Sequence, residues 1–235
     1  MHRTKLIKYA IACGGEYDDI IKAINEDMNV DDISIEGINA ITIYDETYPR
    51  ELLELKYPPF VLFYKGNLEL LKKSKVGVVG SRNPCEYSVK ATEKIASITT
   101  DVVVSGLAKG IDATAHLFAS EGIAVLGCGI DYVYPLDNKH LFDCLSNSKN
   151  GLILSEYPGL TKPLGYHFPF RNRIISALSH TLYVMECSKV SGTMTTISEA
   201  LELGRNVEVL PFDVFADKKI YNNTLISQGA QIIKL

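Results

Sequence analysis

The chain has 235 residues, of which 46% are hydrophobic and 22% are charged, and its formal net charge is −4. These proportions exclude a disordered, collagen-like or coiled-coil chain and are typical of one large globular domain with a small appendage. No apolar run reaches the roughly 18 residues of a membrane-spanning helix, and the first residues lack the pattern of a signal peptide. We therefore expect a cytoplasmic protein with no membrane partner.

The charges are distributed unevenly along the chain. Residues 1–60 contain six Lys or Arg and twelve Asp or Glu, whereas residues 61–235 contain eighteen and sixteen. The larger part is slightly basic, so the acidic total does not exclude a polyanionic partner. The five cysteines are widely spaced and form no CxxC pair, so we expect reduced thiols and no metal site.

Taken in order, the predicted elements begin with an acidic N-terminal segment, residues 1–38, in which two short helices are expected around 9–12 and 20–24. Residues 39–70 contain extended segments that should pack on the main domain. Six short, unbroken, β-branched runs then predict strands buried on both faces of a parallel sheet, at 75–80, 101–106, 123–127, 151–155, 181–186 and 206–211. Helical spacing of apolar residues predicts helices at 86–98, 111–121, 137–147, 171–179 and 193–203, followed by a helix at 223–227 and a strand at 231–235. The alternation predicts an α/β fold with a doubly wound, mostly parallel sheet and helices on both faces.

Small residues follow most of the predicted strands, where ligands of open α/β sheets bind. These strand exits read Gly80-Ser81-Arg82, Ser105-Gly106 continuing to Lys109, Gly127-Cys128-Gly129, Ser155-Glu156 and Ser191-Gly192-Thr193. Glycine and serine let a ligand approach the backbone, and the N–H groups of the following helices suit an anion. With Arg82 and Lys109 among them, the exits favour phosphate binding over glycines that serve turn geometry alone. Neither GxxxxGK[ST] nor GxGxxG occurs, so no cofactor is predicted.

The stretch from Tyr157 to Met185 contains no acidic residue, and in it Lys162, Arg171 and Arg173 alternate with aromatic residues. Basic side chains that follow a phosphate backbone and aromatic faces that stack on bases suit single-stranded nucleic acid. The alternative is a helix start whose aromatics are core residues and whose arginines pair with Glu156 or Glu186.

Asp112 and His116 are spaced i, i+4 and could form an acid/base pair. We favour a structural interpretation, in which Asp112 braces the helix start and His116 packs beneath it.

Together these residues resemble the DNA-processing protein A family, DprA or Smf. The matching pieces, in order, are Gly80-Ser81-Arg82, 105–112 with Ala115-His116, 127–131 with Tyr134-Pro135 and Asn138, Ser155-Glu156-Tyr157-Pro158, Phe168-Pro169-Phe170-Arg171-Asn172-Arg173-Ile174-Ile175-Ser176, Glu186, 191–193, Gly204-Arg205 and 223–230. The resemblance covers about residues 42–235.

The resemblance implies a Rossmann-like domain, residues 39–235, that binds single-stranded DNA, forms a homodimer and helps to load RecA recombinase in natural transformation, without being an enzyme. The N-terminal helical domain of many members would be reduced here to residues 1–38. The strand exits and the resemblance together nominate as DNA-binding residues Gly80, Ser81, Arg82, Ser105, Gly106, Lys109, Phe168, Arg171, Arg173, Ser191, Gly192 and Thr193.

Two other functions stay open. Residues 191–199 are similar to the PGGxGTxxE motif of lysine-decarboxylase-like phosphoribohydrolases, in which Glu199 would help to split a nucleoside monophosphate, although Val190-Ser191 replaces the paired glycines. A sensor that binds a small nucleotide without turning it over is the third interpretation.

Overall fold

The structure is a computed structural model that describes residues 2–213, 215–217 and 219–234. Its helices are α1 Arg3–Ala12, α2 Tyr17–Asn25, α3 Glu86–Ile98, α4 Ile111–Phe118, α5 Lys139–Asn147, α6 His167–Leu178, α7 Gly192–Glu202 and α8 Asn222–Ser227. Its strands are β1 Ala40–Thr42, β2 Val61–Gly66, β3 Lys75–Gly80, β4 Val102–Ser105, β5 Gly122–Leu126, β6 Gly151–Ser155, β7 Thr181–Glu186, β8 Asn206–Val209 and β9 Gln231–Ile232. Short 3-10 helices occupy Arg50–Glu54, Leu68–Lys72 and Leu136–Asn138.

In the described part of the chain, nine strands form one sheet in the order β1-β2-β6-β5-β4-β3-β7-β8-β9. The pairs β1/β2 and β2/β6 are antiparallel, and every pair from β6 to β9 is parallel. The predicted α/β class with a mostly parallel sheet is therefore confirmed. The extended segments expected in 39–70 supply β1 and β2, which extend the sheet at its β6 edge.

The strands carry apolar residues on both faces because helices cover both. In β4, Val102 and Val104 belong to the core that packs against α6 and α7, whereas Val103 belongs to the core that contains Ile95 of α3 and Ala115 of α4. A strand buried on both sides gains from apolar residues at every position, so the runs are unbroken rather than alternating.

The start of α6 differs from the prediction. The apolar spacing predicts a helix from residue 171, but α6 begins at His167. Pro169 lies in the first turn, where a backbone N–H has no intrahelical partner, so its missing N–H costs no hydrogen bond there. The helix therefore includes the aromatic residues that precede the arginines. The predicted strand 231–235 is shorter than expected, and its last residue, Leu235, lies outside the described residues.

The acidic N-terminal segment packs directly on the main domain. Leu6 and Tyr9 of α1 are buried in a core that also contains Phe63 of β2 and Phe142 of α5. The two helices of this segment, α1 and α2, are longer than the sequence pattern alone predicted.

The direction of the chain reverses at β3, since β4, β5 and β6 lie on one side of it and β7, β8 and β9 on the other. Such a reversal leaves a crevice at the carboxyl ends of the strands, where the flanking loops diverge. None of the helices in the described ranges is both long enough and apolar enough to span a membrane.

Candidate functional site

A cleft of about 1130 Å³ lies at the carboxyl ends of β3 and β7, where the chain reversal leaves its crevice. The loop 80–85, the first turn of α6 and the segment 186–193 form its walls. A small cavity of about 90 Å³ adjoins it over the end of β4. Arg82, Ala108, Phe168 and Arg171 line both, so these four residues form the boundary between cleft and cavity.

At this boundary the exposed Arg82 and the Phe168 ring lie close to a second ring, that of Tyr134, which lines only the small cavity. The guanidinium carbon of Arg82 lies 5.5 Å from the centroid of the Phe168 ring. The Tyr134 ring lies 5.6 Å from the Phe168 ring on another side, and Tyr134 is 41% exposed. Lys109, also exposed, lines the small cavity and pairs with Asp137. The surface thus combines exposed positive charge with aromatic faces.

The position of Phe168 depends on close packing beneath it. A Cβ added to Gly127 would lie 2.8 Å from Cδ1 of Phe168, so only glycine at this strand exit admits the ring. The glycine after β5 is therefore explained by an internal contact as well as by a turn.

The N-terminal segment braces the residue before Phe168. The Leu164 N–H donates to Nδ1 of the fully buried His167, so Nε2 carries the ring hydrogen and donates to the Glu16 carboxylate at 2.8 Å. The Tyr157 ring stacks on the imidazole with 3.9 Å between centroids. The start of α6 is thereby attached to the loop between α1 and α2.

Arg171 forms the floor of the cleft. It is 4% exposed, and its Nη1 donates to the carbonyl oxygens of Gly106, at 2.9 Å, and Val125. A Cβ on Gly106 would lie 2.5 Å from Nη2, so glycine is required here for the guanidinium to fit. No carboxylate of the described residues forms an ion pair with Arg171, and burial lowers the pKa of its guanidinium. The floor therefore carries a buried positive charge that the nearby buried Asp112 carboxylate partly compensates.

The loop between β4 and α4 is held rigidly beside this floor. Leu107 has φ +56°, a left-handed conformation that costs a non-glycine residue energy. The Asn138 amide donates to the Leu107 and Ala108 carbonyls at 2.9 and 3.0 Å, and the Asp112 carboxylate accepts from the Gly106 and Ala108 N–H groups. Asp112 thus braces the helix start as predicted, and burial raises its pKa.

His116 packs beneath α4, 6% exposed, outside the lining of the cleft. Burial lowers its pKa to about 4, so the ring is neutral at physiological pH. The structural interpretation of this pair is confirmed.

The start of α7 forms the far wall of the cleft. Ser191, Gly192 and Thr193 all line it, and the Thr193 hydroxyl donates to the Gly80 carbonyl at 3.3 Å. Asn172 Nδ2 donates to the Gly192 carbonyl at 3.2 Å.

The expected pairing of Glu186 with an arginine is wrong. Its carboxylate instead accepts from the Cys85 N–H at 2.9 Å and the Ser88 hydroxyl at 2.7 Å, at the start of α3. A carboxylate is favourable there because the first N–H groups of a helix lack partners and carry partial positive charge.

Ten of the twelve nominated residues line the cleft or the cavity; Ser105 and Arg173 do not. The Ser105 hydroxyl is fully buried and donates to the Val78 carbonyl at 2.6 Å. Arg173 forms a bidentate ion pair with Glu156 at 2.6 and 2.7 Å, confirming the alternative expected for this arginine. Because their polar groups are satisfied inside the protein, both residues brace the fold, and their nominated contact with a ligand finds no support in the geometry.

Glu199, which the hydrolase interpretation requires, is half-buried on α7 and does not line the cleft. Burial, reinforced by Glu202, raises the pKa of its carboxyl group.

Tyr134, Asn172 and Lys219 are among the residues that line the cleft or cavity but were not nominated from the sequence. The first two lie within the family motifs and could have been found there, whereas no motif or pattern in the sequence marked Lys219.

The sequence model of a family described as DNA recombination-mediator protein A matches residues 39–235. DNA processing protein DprA of Streptococcus pneumoniae is 42% identical over 200 residues, which cover 83% of this chain and 70% of that protein. DprA of Bacillus subtilis is 40% identical over 209 residues, covering 84% and 69%.

Two solved structures share the fold. That of DprA from S. pneumoniae superposes with a TM-score of 0.80 at 37% identity and covers 92% of this chain and 78% of that chain. A structure that addresses the single-stranded DNA binding mode of DNA processing protein A from Helicobacter pylori has a TM-score of 0.76 at 31% identity, covering 85% and 93%.

Proposed function

The chain belongs to the DNA recombination-mediator protein A family, whose members are named DprA or Smf, and we propose that it binds single-stranded DNA across the cleft and the adjoining cavity. One observation carries the proposal: the exposed Arg82 guanidinium and the Tyr134 ring flank Phe168 at the boundary between the two. Cations that hold phosphates beside aromatic faces that stack on bases are the two parts of a single-strand site. The structure of the H. pylori relative, described by its single-stranded DNA binding mode, supports this choice of ligand.

The role of each charged or aromatic side chain at the site follows from how exposed it is. Arg82 and Lys109 are exposed and bind backbone phosphates, while the Phe168 ring stacks on a base. Arg171 contributes positive potential from the floor, where low surrounding polarity strengthens its field. Stacking on Phe168 requires a base face that pairing and stacking in a duplex would cover, so the site selects single strands.

The strand is bound without being cut or hydrolysed. Glu199, the candidate general acid or base of the alternative enzyme, does not line the cleft. The buried His116 does not line it either. The proposal is therefore a binding protein rather than a nucleoside-monophosphate hydrolase.

The wider role rests on family membership. We propose that this chain acts in the cytoplasm as a homodimer that protects incoming DNA and helps to load RecA recombinase during natural transformation. The description of the family as a recombination mediator supports this role. Light scattering tests the dimer, and RecA filament assembly on DNA covered by single-strand-binding protein tests the loading.

The direct test measures fluorescence anisotropy of a labelled oligo-dT. Removing a stacking ring costs roughly 1–3 kcal/mol per base, so we expect Phe168→Ala to bind about 5- to 150-fold more weakly. Arg82→Ala should weaken binding of all sequences alike. Arg50→Ala, an exposed residue outside the cleft, is the charge-matched control and should bind as the unmodified protein does.

Two outcomes would overturn the proposal. One is the absence of oligo-dT binding by the unmodified protein at low salt. The other is unchanged affinity in both Phe168→Ala and Arg82→Ala.

A further inference from the structure

Phe168 lies in the first turn of α6, and the residue before that helix does not cap it. Tyr166 occupies the capping position with helical backbone angles, and its side chain accepts no N–H from the described residues of the turn. Pro169 has no N–H, so it adds no hydrogen bond there. The first turn of a helix lacks intrahelical partners for its N–H groups and frays readily. Contacts from elsewhere in the fold therefore have to keep the Phe168 ring in place.

Glu16, in the loop between α1 and α2, supplies such a contact. Its Oε1 accepts from Nε2 of His167 at 2.8 Å and from the Tyr166 hydroxyl at 3.0 Å. These two donors directly precede Phe168 in the chain. One carboxylate oxygen of the N-terminal segment thus holds both residues that lead into the ring.

The loop that carries Glu16 is itself seated tightly on the main domain. Gly15 has φ +86°, and a Cβ added to it would lie 2.5 Å from the Glu156 carbonyl oxygen, so its backbone packs directly on the exit of β6. On the other side of Glu16, the Tyr17 ring stacks on Phe60 with 4.8 Å between centroids. Because both neighbours are held by the main domain, Glu16 is a fixed point to which the start of α6 is tied.

The charge of Glu16 by itself is unfavourable beside a site for DNA. A carboxylate repels the phosphates of a strand bound nearby. Glu16 is 33% exposed, and within the described ranges no Lys or Arg forms an ion pair with it. Its hydrogen bonds go to Tyr166 and His167 instead. The contacts of this side chain therefore serve the start of α6 and not the ligand directly.

We propose that Glu16 is a positioning residue of the single-stranded DNA site, which holds the start of α6 through His167 and Tyr166 and so orients the Phe168 ring for stacking. The N-terminal segment lies outside residues 39–235, which the family model matches, and becomes part of the DNA site without itself contacting the strand. This inference rests on the proposed function, because it requires that Phe168 contacts the strand.

Three substitutions separate the reach of the Glu16 side chain from its charge, with oligo-dT affinity measured by fluorescence anisotropy on the full chain. Glu16→Ala should bind about three- to tenfold more weakly, a part of the loss expected when a stacking ring is removed. Glu16→Gln keeps the oxygen that accepts both hydrogen bonds and should restore most of the affinity. Glu16→Asp keeps the charge but is one methylene shorter, so it should bind more weakly than Glu16→Gln.

The sign of the effect distinguishes positioning from electrostatics. If Glu16 acted on the strand through its charge alone, Glu16→Ala and Glu16→Gln would both bind oligo-dT more tightly, since repulsion of the phosphates is removed. Positioning predicts weaker binding for the alanine variant and rescue by glutamine.

A double-mutant cycle tests whether Glu16 acts through Phe168. In the Phe168→Ala background, Glu16→Ala should have no further effect on oligo-dT affinity, because the ring that it positions is absent. A general loss of structure would weaken binding in both backgrounds alike.

Arg3→Ala is the matched control. Arg3 also joins the N-terminal segment to the main domain, since its Nε donates to Asp45 at 2.9 Å and its Nη2 to the Ala40 carbonyl at 2.7 Å, at β1 rather than at α6. This variant should bind oligo-dT as the unmodified protein does. Urea denaturation checks that each variant is folded, and if Glu16→Ala is not, the comparison of Glu16→Asp with Glu16→Gln decides the question by the same reasoning.

The proposal is overturned if Glu16→Ala binds oligo-dT as well as or better than the unmodified protein, if Glu16→Gln binds no better than Glu16→Ala, or if the loss is equally large in the Phe168→Ala background. Failure of the proposed function looks different, because the unmodified protein would then not bind oligo-dT, or Phe168→Ala would leave its affinity unchanged.

Discussion

Neighbouring residues in the first turns of α6 have opposite environments. Phe168 faces the cleft, Arg171 lies in its floor and Arg173 is inside the fold, paired with Glu156 and packed 3.7 Å from the Phe170 ring centroid. Charge and aromatic content mark this stretch in the sequence, but they do not separate a ligand-facing arginine from an internal one. That difference follows from the rotation of about 100° per residue around a helix, which turns each side chain toward another neighbour.

At the same scale, His116 predicts a pH dependence of stability. Its folded pKa is about 4, below the ordinary 6.5, because burial removes the ring from water and disfavours its charged form. The unfolded chain therefore binds a proton more readily, so this contribution is present above pH 6.5 and is lost as the pH falls toward 4. The loss amounts to about 3 kcal/mol once both states are protonated.

Urea denaturation at pH 7.5 and pH 4.5 checks this expectation. His116→Leu should lose less stability on acidification than the unmodified protein, since it removes the proton-binding group and keeps the buried volume. Equal losses in the two proteins would show that carboxylates alone account for the acid sensitivity.

At the scale of elements, the N-terminal helices pack into the same core as part of the sheet. Their apolar side chains share a core with β2, β5 and β6, and Glu16 reaches the start of α6 through His167. The sequence pattern separated residues 1–38 from the rest because their composition is acidic. Packing in the structure unites the two parts, because short helices bury enough apolar surface only against the sheet.

Leu6→Ala should therefore destabilise the whole protein. Leu6 is fully buried, and large-to-small changes at such sites cost about 2–5 kcal/mol. We expect a single thermal transition by circular dichroism, shifted as a whole to lower temperature. Ile21→Ala, at a 36% exposed position on α2, is the matched control and should shift it little. A separate early transition in Leu6→Ala would show instead that the N-terminal segment unfolds independently.

At the scale of the molecule, a net charge of −4 is compatible with a nucleic-acid ligand because the positive groups are local. Four of them, Arg82, Lys109, Arg171 and Lys219, line the cleft or cavity, while the first 60 residues carry an excess of acid. A small patch combined with stacking favours a short single strand over a long track of charge.

This distribution predicts a shallow salt dependence. Each neutralised phosphate of a single strand contributes about −0.7 to the slope of log affinity against log salt, so the two contacts of Arg82 and Lys109 give a slope of about −1.4. Arg82→Ala should make the slope shallower by about 0.7. Oligo-dT titrations at several salt concentrations measure both values, and a slope steeper than about −5 would place the main contact on a longer basic surface elsewhere.

The α/β class, the six strands from β3 to β8 and the strand exits that supply part of the cleft lining could all be predicted from the sequence. These features are local, because β-branched runs, helical spacing and glycine-rich exits depend on neighbouring residues. Three features became visible in the folded chain alone: the segment 39–70 joins the sheet as β1 and β2, Glu186 caps α3, and Arg173 is internal while Arg171 forms the floor. Each of these depends on residues distant in sequence, such as the pair of Arg173 with Glu156, and is fixed by which surfaces meet when the chain folds.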